Sequence, residues 1–159
     1  MAIEILRWLH IVGAAVLLGT GAGIAFFMMM SHRTRNPAAV AHTAGVVVAA
    51  DCVFTASAVV LQPITGIALA VILGWPVFDG WVAISMALYV LAGICWLPVI
   101  WIQIRMRDLA REAARCNADL PAGYYACYRW WFGLGIPAFL AVLAIIWLMV
   151  AKPALKLLG

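Results

Sequence analysis

The stretch ILRWLHIVGAAVLLGTGAGIAFFMMM, residues 5–30, decides the fold. Arg7 is its one charged residue, and the run exceeds the roughly 20 helical residues that cross a hydrocarbon core of about 30 Å. It is too long for a secretory h-region, and Met28-Met29-Met30-Ser31-His32-Arg33 offers no small-residue cleavage site. The run is therefore expected to stay in place as a first transmembrane helix.

Working outward, Asn36 and Pro37 form a cap and first-turn pair for a second helix over 38–73, bent at Pro63. Residues 74–80 read as a short turn. A third helix over 81–115 leaves the membrane near Gln103 and continues as a solvated extension, where Asp108/Arg111 and Glu112/Arg115 have the three-residue offset of helical ion pairs. After Pro121 and Gly123, a fourth helix over 125–151 closes at Lys152-Pro153. Nothing divides the chain, so 1–159 reads as one domain: an all-α, integral membrane four-helix bundle whose immediate partner is the lipid bilayer.

Composition supports this. The chain is 68% hydrophobic and 10% charged, with a mean hydropathy of +1.11, whereas soluble domains run about 45–50% apolar and about 25% charged. The net charge of +4 sits at the ends of apolar runs rather than on one polar face, which excludes a nucleic-acid interface. Cys52, Cys95, Cys116 and Cys127 form no CxxC pair and predict neither disulfide framework nor zinc site.

Orientation follows from Lys and Arg near the helix ends. Arg33, Arg35, Arg105, Arg107, Arg111, Arg115 and Arg129 make seven on one side, against Arg7, Lys152 and Lys156 on the other. The expected placement has the basic loops in the cytoplasm and both termini periplasmic, in a bacterial inner membrane.

Two residues stand out chemically. His10 lies near the terminal end of helix 1 and is followed by Gly13, Ala14, Leu17 and Gly21, a shallow track on which a flat cofactor fits. The plainer alternative has His10 bonding a neighbouring helix, with the glycines, including the Gly19/Gly23 GxxxG pair, serving close packing. Asp51 falls near mid-membrane, where a carboxylate is expensive and is by default a functional candidate; a proton-transfer (catalytic) role and an interhelical strut are both open, with Thr55 one turn on to share its hydrogen bonding.

Ile5-Leu6-Arg7-Trp8-Leu9-His10-Ile11-Val12-Gly13 resembles the opening of the HemJ protoporphyrinogen oxidases and of related CopD-like membrane proteins. Ile146-Trp147-Leu148-Met149-Val150-Ala151-Lys152-Pro153 is similar to the apolar run that ends HemJ proteins. As a whole, the chain most resembles an uncharacterised bacterial family of predicted integral membrane proteins placed beside those two. The HemJ resemblance implies heme b, with His10 as axial ligand. The chain has Ala25-Phe26-Phe27-Met28-Met29 where that family carries a Pro-Arg pair, so heme binding is implied rather than protoporphyrinogen oxidation.

By helical rise, Gln62, Thr65, Gly66 and Met86 are level with His10, whereas His32 and His42 lie near the opposite surface and cannot join it on one heme. Met86 is the best second metal ligand by chemistry, with core or lipid-facing filler as its alternative. Arg7 suits a heme propionate or a lipid phosphate equally. The expected function is a small heme-b-binding membrane protein with an electron-transfer or oxidoreductase role. His10, Arg7, Gly13 and Met86 would form the site, and a homo-oligomer or a membrane redox partner is the expected partner beside the lipid bilayer. Two alternatives stand beside it: a copper-handling protein, and a cofactor-free structural subunit. Consecutive Met28, Met29 and Met30 point in different directions on a helix and do not make a copper site.

Overall fold

The computed structural model describes residues 1–154. Four helices, α1 (Ala2–Thr34), α2 (Pro37–Ile72), α3 (Gly80–Arg115) and α4 (Ala122–Ala151), are each long and apolar enough to cross a membrane. No strand occurs among the described residues. Even in the best-covered span, α2, only 33% of the most apolar window is buried within the protein. A surface so apolar is stable against lipid and would not be against water.

Short connections impose an up-down arrangement, which brings Ala2 and Ala151 to one end of the bundle and the arginine-rich segments to the other. We call these the terminal end and the arginine end. α3 packs along α4, the first half of α2 packs on α3, and α1 lies on both halves of α2. The tightest core sits toward the arginine end, where Met28, Val40, Ala44, Met106 and Tyr124 are fully buried.

Local chemistry sets the boundaries. Asn36 Oδ1 accepts from the amides of Ala38 and Ala39 at 2.9 and 3.2 Å, with Pro37 in the first turn, as the sequence leads one to expect. Asp79 caps α3 by accepting from the Gly80 amide at 2.7 Å. The solvated extension of α3 reaches Arg115. Its closest ion pair is Arg107–Asp108 at 2.9 Å, while Glu112 and Arg115 meet only at 4.0 Å.

α2 departs from a plain helix at two points. Residues Asp51–Thr55 form one π-helical turn, in which the Ala56 amide donates to the Asp51 carbonyl. Such single turns bulge a helix and are frequent at functional sites. Two turns further, Pro63 has no N–H to offer the Val59 carbonyl, and the Tyr89 hydroxyl of α3 donates to that carbonyl instead.

The glycines divide unexpectedly. A Cβ on Gly19, Gly21 or Gly23 would touch nothing within 4 Å, so the GxxxG pair is not a packing device inside this chain. Gly13 and Gly66 are the close approaches: the Gln62 amide fills the space beside Gly13, and a Cβ on Gly66 would lie 3.0 Å from His10 Cε1.

Candidate functional site

Because α1 packs on α2 while α3 pairs with α4, the helices leave between them a cavity of about 950 Å³. Its wall is overwhelmingly apolar, broken by a few polar side chains, the usual constitution of a site for a mostly apolar ligand. At the terminal end it is rimmed by Arg7, Lys152, Trp75 and Trp81. The two indoles meet edge to face with centroids 5.0 Å apart, and Lys152 Nζ lies 4.7 Å from the centre of the Trp75 ring.

His10 is on this wall and is bonded to α2. Its Nδ1 lies 2.7 Å from Thr65 Oγ1. Thr65 Oγ1 also lies 2.8 Å from the Leu61 carbonyl, the usual back-bond of a helical threonine. With the hydroxyl hydrogen in that back-bond, Oγ1 accepts from His10 Nδ1–H and Nε2 carries the lone pair; with the hydroxyl hydrogen donated to Nδ1, the tautomer is the reverse. Beside it, Gln62 Nε2 donates to the His10 carbonyl at 2.9 Å.

The sequence placed Gln62, Thr65 and Gly66 level with His10, and the structure brings all three into contact with it or its backbone. Met86 and Arg7 also line the cavity. Gly13 faces Gln62 rather than the cavity; Ala14, Leu17 and Gly21 make the shallow wall instead. Gly13 thus supports the site by admitting the amide that braces the turn of α1 carrying His10.

Asp51 is buried at 3% exposure and lines the same cavity, deeper toward the arginine end. Its partner is the indole of Trp96, whose Nε1 lies a long 3.5 Å from Oδ1, and not Thr55 as the sequence suggested. Thr55 Oγ1, and Gln103 Oε1 nearer the arginine end, are buried on the cavity wall with no hydrogen-bond partner among the described residues. Sequence reasoning did not find Trp96, Tyr89 and Gln103, because an indole, a phenol or an amide in an apolar helix gives no signal of what it faces.

The other histidines lie elsewhere. His32 stacks on Tyr128 with centroids 3.7 Å apart and 6° between planes, and its Nδ1 is 3.2 Å from the Tyr124 hydroxyl, in an aromatic cluster at the arginine end. His42 is exposed. No three His, Cys, Asp or Glu side chains among the described residues are grouped to hold a metal ion.

Four apolar spans enclosing a cavity within the bundle define an integral membrane protein. The chain belongs to the DUF2269 family, described as predicted integral membrane protein, whose model matches residues 4–153. No curated protein and no solved structure matches it.

Proposed function

We propose that this protein binds heme b in the cavity and serves an electron-transfer or oxidoreductase role, with His10 Nε2 as axial ligand. One observation carries the reading: His10 Nδ1 is bonded to Thr65 Oγ1 at 2.7 Å on the wall of an apolar cavity, an arrangement that, with Thr65 as acceptor, leaves Nε2 as a lone-pair donor. Axial and metal-bound histidines are held in this way, the far N–H bonded to an oxygen that fixes ring and tautomer.

The rest of the wall fits the same group. Heme is apolar over its macrocycle and anionic at its propionates, and the cavity is apolar within and carries Arg7 and Lys152 at its rim. Met86, on the same wall, would offer a thioether as a second ligand to that group, His/Met ligation being well precedented. Bound there, heme would supply reversible one-electron chemistry. The chain's own work is positional: Thr65 orients His10, Gln62 braces its backbone, Arg7 and Lys152 neutralise charge, and Trp75 and Trp81 close the rim. Resemblance of the Arg7 to His10 opening to HemJ proteins supports the same group.

Copper has less in its favour, since Met28 is fully buried in the core while Met30 is exposed to lipid. We further propose a bacterial inner-membrane location with the arginine end in the cytoplasm, by the charge asymmetry of the loops. Purification with and without added hemin tests the function. A Soret band that survives detergent exchange in the parent and is lost in His10→Ala supports it; a colourless parent that takes up no hemin overturns it.

A further inference from the structure

The polar groups on the cavity wall are not scattered. Asp51, Thr55, the Val59 carbonyl capped by Tyr89, and Gln62 follow one another along α2 at three- and four-residue steps, each about 6 Å or less along the axis. Gln103 extends the series toward the arginine end, one turn before Arg107. Steps of this length are bridged by a single water making hydrogen bonds of about 2.8 Å on each side.

Two further facts point to water. Ser57, Thr65 and Ser85 bond back to the carbonyls of their own helices, as hydroxyls in apolar helices do. Thr55 does not: in the π turn the Asp51 carbonyl accepts from the Ala56 amide, and Thr55 Oγ1 bonds to no carbonyl among the described residues. Thr55 Oγ1 and Gln103 Oε1 are buried at 7% and 1% residue exposure without partners among the described residues, and Asp51 has only one long bond. A buried polar group left unpaired is costly, and a water with two or more polar neighbours relieves that cost.

We infer that Gln103, Asp51, Thr55 and the Tyr89 hydroxyl line a hydrated proton path from the arginine end of the bundle to the compartment walled by His10 and Met86. The π turn frees Thr55 for the water chain, Gln103 and Tyr89 anchor it, and Asp51 is the group that exchanges protons. Asp51 takes a proton on one carboxyl oxygen and releases one from the other. Each transfer breaks one O–H bond as it makes the next, so the path ends as it began. The inference stands on the wall geometry and does not require heme.

The test is thiol labelling in membranes, on a background with Cys52, Cys95, Cys116 and Cys127 changed to Ala and with His10→Ala to exclude heme. Only a thiolate reacts, and a thiolate needs water and a route for its proton. With a small cationic methanethiosulfonate, Thr55→Cys should label at least about tenfold faster than the lipid-facing Val53→Cys. Its rate should rise about tenfold per pH unit below the thiol's own pKa. Adding Gln103→Leu should slow it about tenfold, because the plug sits at the arginine end. Labelling of Thr55→Cys no faster than Val53→Cys, in protein that elutes as a single species, overturns the path; so does fast labelling indifferent to Gln103→Leu. Labelling as expected in a protein whose parent binds no heme would sink the heme reading and leave the path standing.

Discussion

His10 Nδ1 and Thr65 Oγ1 meet at 2.7 Å across 55 positions of sequence, joining α1 to the second half of α2 at the level where Gly66 gives the imidazole its space. That contact ties the register of two helices and engages one nitrogen of the histidine. Thr65→Val removes the acceptor while keeping the shape. It should cost about 1–3 kcal/mol of stability and, if heme is bound, about 10–100-fold in affinity. Thr65→Ser should restore both, as read by thermal melting in detergent and by hemin titration.

Gly13 and Gly19 look equivalent in sequence and are not. Gly13→Ala drives a Cβ into the Gln62 amide and should destabilise by about 1–3 kcal/mol, whereas Gly19→Ala meets open space and should stay within about 0.5 kcal/mol of the parent. Parallel melting curves of the two variants check this, and equal losses would count against the α1–α2 register described here.

The spans were legible because lipid imposes a rule on length and composition that a single sequence displays: residues 5–30 and the three runs after it are the helices observed, to within a few residues at most ends. The neighbours of His10 were legible for a related reason, since antiparallel helices with fixed rise put Gln62, Thr65 and Gly66 at its depth. Rotation about the helix axis was not. Whether Gly13 faced a cavity or a neighbouring amide depends on how α1 turns against α2. The π turn at Asp51, which redirects Thr55, comes from packing that no local motif announces.

Asp51→Asn keeps an acceptor for the Trp96 indole and should fold within about 1 kcal/mol of the parent, while removing the carboxyl group that the proposed path uses. Any proton-coupled activity should then fall away with the melting temperature nearly unchanged. Loss of both together would make Asp51 a structural strut.

Orientation is open to direct measurement. With seven basic residues near one face against three near the other, a reporter active only in the cytoplasm should work fused after Arg115 and fail fused after Gly159. The reverse pattern would turn the protein over in the membrane.

The most direct measurement of the central claim is the absorption spectrum of His10→Ala beside that of His42→Ala, both reconstituted with hemin. His10 lines the cavity with its Nδ1 bonded to Thr65, whereas His42 is exposed on the protein surface. The account predicts a Soret band and resolved reduced bands in the parent and in His42→Ala, and their loss in a correctly inserted His10→Ala. Identical heme spectra in both variants, or none in the parent, would contradict it.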